Sequence, residues 1–154
     1  MKFLDSNVIL YAYLKPKPGL KLPERIKWRK SKSKELIKRI ENGLEEIIIS
    51  TVHLGEILNI ISKKLGKKQA ILFLSKILAL KNVHVVEVSR DTYEEALSVS
   101  ISENLEPNDA IAIVIMRKLK CKEIYTFDHD FQKIEDIVTP LLEEEKQHFT
   151  EKNI

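Results

Sequence analysis

The chain has 154 residues, of which 44% are hydrophobic and 32% charged, the size and balance of one folded domain rather than a disordered chain. No apolar run reaches the roughly 18 residues of a membrane span, and Met1 leads into an apolar segment without a signal-peptide pattern, so no membrane role and a cytoplasmic setting are expected. The net charge of +3 names no partner by itself, and the single cysteine, Cys121, excludes an intrachain disulfide and a Cys/His zinc site.

Lys2 to Leu4 predicts a short strand ending at Asp5, and Ser6 to Leu14 a short helix. Pro16, Pro18, Gly19 and Pro23 then mark a loop. Helical spacing returns over Glu24 to Asn42, with Ile26, Leu36, Ile37 and Ile40 as anchors and Gly43 as a stop. Within this stretch, Lys15 to Lys34 holds nine basic residues against one acid, Glu24. That segment carries +8 and the rest of the chain −5. Such a block suits a polyanion, and equally a solvated helix face.

Glu46 to Ile49 predicts a strand, and Thr51 to Leu65 a helix with Leu54, Ile57, Leu58, Ile61 and Leu65 on one face. Gly66 breaks it. Lys68 to Leu80 predicts a further helix capped by Asn82, followed by a strand from Val83 to Val88. Asp91 to Asn104 and Asn108 to Lys120 predict two more helices. Positions 110 to 116 are apolar all round, as in a buried helix. Glu123 to Phe127 predicts a strand, Phe131 to Ile134 a helical turn, Ile137 to Thr139 a last short strand, and residues 140–154 a tail or short helix. Strands alternating with helices predict an α/β fold of three layers (α/β/α), with a mostly parallel central sheet of about five strands. Ligands of such sheets bind beyond the carboxyl ends of the strands.

There are seventeen Glu but six Asp, and Asp5, Asp109, Asp128 and Asp130 all fall near predicted element ends. Singly, each has an ordinary explanation. Asp5, followed by Ser6 and Asn7, reads as a helix cap. Asp109 reads as an acid in a first helical turn, although a buried helix makes an unpaired carboxylate costly there. Asp128 and Asp130 read as turn residues around an exposed His129. Glu56 faces away from Leu54, Leu58 and Leu65 and reads as part of a solvated helix face. Taken together, carboxylates converging at strand ends repel one another unless a cation sits between them. Oxygen ligands without cysteine or paired histidines select Mg²⁺ or Mn²⁺. That chemistry, next to a basic segment, points to phosphodiester hydrolysis.

Four strings resemble a known family in order and spacing over residues 1 to 139. Phe3-Leu4-Asp5-Ser6-Asn7-Val8 is similar to the opening of PIN-domain nucleases. Thr51 to Ile57, containing Glu56, resembles the family's glutamate-bearing helix. Asn108-Asp109-Ala110 resembles the third acidic motif, and Thr126-Phe127-Asp128-His129-Asp130-Phe131 the fourth. The resemblance implies a divalent-metal-dependent endoribonuclease with Asp5, Glu56, Asp109 and Asp128 as the acidic cluster. Asp5, Asp109 and Asp128 would hold Mg²⁺ or Mn²⁺. Ser6, Asn7, Thr126 and Asp130 would hold the carboxylates in place. The resemblance alone turns Glu56 from a surface residue into a site residue. It further implies a toxin of the VapC type, with an antitoxin partner and a homodimeric state. Ser6 stands where threonine is frequent, and the basic segment 15–34, longer than usual, is a candidate RNA arm through Lys27, Arg29 and Lys30. Trp28 is available there to stack on a base or to pack on the core. The domain expectation is a nuclease unit over 1–139 followed by 140–154. The rival readings are a catalytically silent PIN-fold RNA-binding or interaction module and an rRNA-maturation nuclease without antitoxin. A haloacid-dehalogenase-type phosphatase is disfavoured because Asn7 stands where its second acid is needed.

Overall fold

Successive side chains of a strand point to opposite faces of a sheet, and the strands of this protein use that alternation to divide the core in two. The computed structural model describes residues 1–151. In chain order it contains β1 (Lys2–Leu4), α1 (Ser6–Tyr13), α2 (Glu24–Glu41), β2 (Ile47–Ser50), α3 (Thr51–Leu65), α4 (Lys67–Ala79), β3 (Val83–Val86), α5 (Arg90–Glu103), α6 (Pro107–Lys118), β4 (Ile124–Tyr125), a 3₁₀ turn (His129–Lys133) and α7 (Pro140–Glu151). Phe3, Ile48 and Ile124 point to one face, packed against α5, α6 and the 131–137 segment. Leu4, Ile47, Ile49 and Tyr125 point to the other, packed against α1, α2, α3, α4 and α7. The expected three-layer α/β/α architecture results.

All strand pairs are parallel, in the order β3-β2-β1-β4. Among the described residues the sheet has four strands rather than about five. Where Ile137 to Thr139 was expected to add a strand, a single parallel bridge joins Glu123 and Val138. The chain moves outward from β1 to β2 and β3, then returns to place β4 on the other side of β1. The order therefore reverses between β1 and β4, and the crevice at their carboxyl ends is the topological switch point.

Several local predictions hold closely. The α3 bounds match, and Gly66 at φ +99 breaks the chain between α3 and α4 in a conformation that side chains resist. Every residue from Ala110 to Met116 is buried. Asn82 does not cap α4. Its side-chain amide donates to the carbonyls of Ile40 and Glu45 (2.8 and 2.6 Å), tying the α2–β2 connection to the start of β3. Residues 140–151 form a docked helix with Leu141, Leu142 and Glu145 buried; the last three residues of the expected tail lie outside the described ones. Among the described residues no helix is long and apolar enough to cross a membrane.

Candidate active site

Parallel strands deliver their carboxyl ends, and the helices that follow them, to one side of the molecule. Asp5 leaves β1 there and caps α1: its Oδ1 accepts from the Ser6 amide at 2.8 Å. Its Oδ2 accepts from the Thr126 hydroxyl at 2.7 Å, from the segment just after β4. Thr126 Oγ1 in turn accepts from the Asp128 amide (3.0 Å) and from Asn7 Nδ2 (3.5 Å). Asn7 Oδ1 accepts from the Phe127 amide at 3.3 Å. This web binds the ends of β1 and β4 across the switch point. Asp128 caps the 3₁₀ turn through Oδ1 and the Asp130 amide (2.9 Å).

The site residues named from sequence converge. Ser6 Oγ donates to Glu56 Oε1 at 3.3 Å, which joins α1 to α3. Asp5, Ser6, His53, Glu56, Glu106, Pro107, Asn108 and Asp109 line a cleft of about 400 Å³. Glu56 therefore faces a cleft and not bulk water. Asp109, in the first turn of α6, Asp128 and Asp130 each place a carboxylate oxygen within 4.8 Å of the other two. This triple differs in one member from the metal set expected from sequence. Asp130 belongs to it, while both oxygens of Asp5 already accept hydrogen bonds. The Asp-x-Asp spacing of 128 and 130 was the available signal.

The electrostatics follow from this crowding. Burial, and then the charges of Asp5, Asp128, Asp130 and Glu56, push the Asp109 carboxyl up to about 7. Burial also pushes Asp5 up to about 6, against the hydrogen bonds from Thr126 and Ser6 and with the added repulsion of Asp128 and Glu56. Among the described residues, the one cation paired with this group is Lys133, at 3.1 Å from Asp130. Carboxylates so placed, all hard oxygen donors, fit a divalent cation.

In the basic segment, three of the four residues named for RNA make contacts within the chain. Arg29 forms a two-point ion pair with Glu145 of α7 (Nε–Oε2 2.6 Å, Nη2–Oε1 2.9 Å) and donates to the Tyr11 hydroxyl at 3.2 Å. Its guanidinium lies over the Phe127 ring at 5.1 Å. Lys30 Nζ donates to the carbonyls of Tyr11 and Leu14, closing the end of α1. Trp28 stacks on His148 at 5.7 Å and meets Phe127 and Phe149 edge-on. Of the four residues named for RNA, only Lys27 is an exposed cation, loosely paired with Glu24 at 3.5 Å. Trp28, Arg29 and Lys30 serve the docking of α2 on α1 and α7. The reason is that α7, whose position no local pattern reveals, brings a buried carboxylate to them.

The family model described as "PIN domain" matches residues 2–137. The chain belongs to the PIN domain family. Solved structures agree on the fold. VapC20 of Mycobacterium tuberculosis, a toxin that cleaves the sarcin-ricin loop, superposes with a TM-score of 0.69 at 20% identity, covering 88% of this chain and 95% of that one. A toxin–antitoxin complex from Klebsiella pneumoniae gives 0.63 at 16% identity, over 91% of this chain and 98% of that chain. FitAcB from Neisseria gonorrhoeae gives 0.57 at 17%, over 90% and 96%. No curated protein sequence matches the chain. For a PIN domain, the switch-point crevice with its converging carboxylates is the expected place for chemistry.

Proposed function

We propose that this PIN domain is a divalent-metal-dependent endoribonuclease and the toxin of a toxin–antitoxin pair. The observation that carries the reading is the carboxylate group at the switch point, with Asp109, Asp128 and Asp130 close enough to share one ion. Family membership supports a nuclease, and the toxin–antitoxin proteins among the structural neighbours support the pairing with an antitoxin. Residues 1–139 form the nuclease unit, with α7 bracing it. The protein acts in the cytoplasm, and a second copy is its expected homodimeric partner.

Asp109 and Asp128, with Asp130 and Asp5 alongside, would hold Mg²⁺ or Mn²⁺. The ion supplies Lewis-acid polarisation of the phosphoryl group and a water of lowered pKa. The chain's own residues do the rest. Thr126 fixes Asp5 and the backbone at Asp128 together, so the two strand ends cannot drift apart. Ser6 orients Glu56 through Oε1, which leaves Oε2 to accept a proton from the attacking water. The half-buried setting of Asp109 raises its affinity for positive charge, because neutralisation relieves the repulsion around it.

The test is cleavage of a structured RNA with Mg²⁺, with Mn²⁺ and with chelator, comparing wild type with Asp5→Asn and Asp109→Asn. Metal-dependent cutting that both variants lose supports the nuclease. RNA binding without cutting, indifferent to metal, replaces it with the binding-module reading.

A further inference from the structure

His53 is the feature of the cleft that the sequence motifs leave unassigned. It lies in the first turn of α3 and is 1% exposed, held edge-on against Phe3 with ring centroids 5.1 Å apart. Its Nδ1 sits 2.6 Å from the Ser50 hydroxyl oxygen. The same oxygen accepts from the His53 backbone amide at 3.0 Å, as the cap of α3. Ser50 is fully buried, and among the described residues its hydroxyl hydrogen has no other acceptor. The hydroxyl must therefore donate to Nδ1. In a neutral imidazole, an accepting Nδ1 leaves the proton on Nε2. The tautomer is set by the cap.

The second half of the argument is where Nε2 goes. His53 lines the cleft with Asp5, Glu56 and Asp109. Among the described residues Nε2 has no hydrogen-bond partner, and it is not one of the sealed, unsatisfied polar atoms, which leaves it the small exposed edge of a ring that lines the cleft. Among the described residues, no lysine or arginine lines the cleft. Ser6 spends its hydroxyl on Glu56, and Asn108 is exposed. His53 is thus the buried side-chain donor in the cleft that has nothing to give to. Burial also holds the ring near pKa 4, hence neutral at pH 7.

We infer that His53 contacts the substrate, its Nε2–H donating to a non-bridging oxygen of an RNA phosphate in the cleft. This rests on the nuclease reading above. A neutral donor suits the place. An imidazolium would attract the neighbouring carboxylates and compete for their cation, whereas a fixed N–H binds the phosphate without altering the charge of the cluster. Because the ring is held by Ser50 and Phe3, it meets the phosphate without reorganisation.

The experiment combines three readouts on the full chain. Long-range ¹H–¹⁵N spectra of the histidines should show His53 as the Nε2–H tautomer, with that preference lost in Ser50→Ala. RNA affinity in chelator should fall several-fold in His53→Phe, which keeps the aromatic contact with Phe3 and removes the donor. The cleavage kcat of His53→Phe should fall roughly 10²-fold, the usual loss for one preorganised donor. His53→Gln, which carries an N–H at a similar reach, should recover part of it, and it decides the matter if His53→Phe does not fold. An Nδ1–H tautomer, or wild-type affinity and kcat in the folded variants, overturns the inference. Absence of cutting by wild type, with chelator binding still sensitive to His53→Phe, removes the nuclease reading and keeps His53 as a phosphate contact.

Discussion

Two regions of this molecule bury charge, and they treat it in opposite ways. At the α2–α7 seam, the Glu145 side chain is 2% exposed and meets Arg25 at 2.7 Å and Arg29 at 2.6 Å. The two guanidinium groups hold its carboxyl below the usual range despite burial. At the switch point, Asp5 and Asp109 are pushed up to about 6 and 7, with several further acids nearby and Lys133 as the paired cation. Charge that finds its partner inside the chain is architecture. Several acids gathered around a single lysine keep a repulsion that a cation from outside would relieve.

The sharpest way to break this contrast is at Asp109. On the nuclease reading, Asp109→Asn should cut RNA cleavage by roughly 10³-fold or more, as expected for loss of a metal-holding carboxylate. The same variant should melt a few degrees higher than wild type in chelator, because it removes repulsion. A lower melting temperature in chelator would mean that the acids are not crowded against one another. The mirror experiment is Glu145→Ala, which leaves two arginines facing a gap. It should cost about 3 kcal/mol by denaturant unfolding. A loss under 1 kcal/mol would show that α7 is held by its apolar contacts alone.

The two regions should also respond oppositely to pH. Asp5 and Asp109 have folded-state pKa values above the unfolded 3.8. Without metal, the folded state then binds more protons than the unfolded state between about pH 4 and 7. Their contribution makes the protein more stable as pH falls through that window. Glu145, depressed below 4.5, adds stability that is complete above that value and is lost as pH falls below it. Melting temperatures against pH in chelator, with and without Asp109→Asn, separate the two; a wild-type curve flat from pH 7 to 5 would contradict the assignment. Adding Mn²⁺ at pH 7 should raise the wild-type melting temperature and leave Asp109→Asn little changed.

The smallest expected effect is at Lys27. Charge reversal to Glu should change stability by less than about 0.5 kcal/mol, since its pair with Glu24 is exposed. It should lower the salt slope of RNA binding by about one if this cation meets a phosphate. Reversal of Arg29 should instead act through stability. Equal behaviour of the two would erase the distinction between exposed and structural basic residues in the 15–34 segment.

Much of this was legible along the chain, because strands and helices announce themselves through local periodicity. The α3 bounds, the all-round burial of Ala110 to Met116 and the element-end positions of Asp5, Asp109 and Asp128 follow from spacing and turn residues. Glu56 was legible only by resemblance. A cleft is wet and polar, so a helix face turned to a cleft has the same pattern as one turned to solvent. Asn82, expected as a cap, is a clip instead for a related reason: a short polar side chain near an element end serves equally as a cap, a clip or a ligand, and its neighbours choose.

The sequence by itself determined the alternation of strands and helices, the parallel three-layer fold and the set of acids available at the strand ends. These depend on periods of 2 and 3.6 and on turn chemistry within a few residues. Packing in three dimensions was needed to bring Asp130 to Asp109, Arg29 to Glu145, and the Ser50–His53 pair to the wall of the cleft. Asp109 and Asp130 are 21 positions apart, and Arg29 and Glu145 are 116 apart. The third spans three positions but matters only because Asp5 and Asp109 stand across from it. Which partner a polar group meets depends on distances in space, and those are set by how the whole core packs.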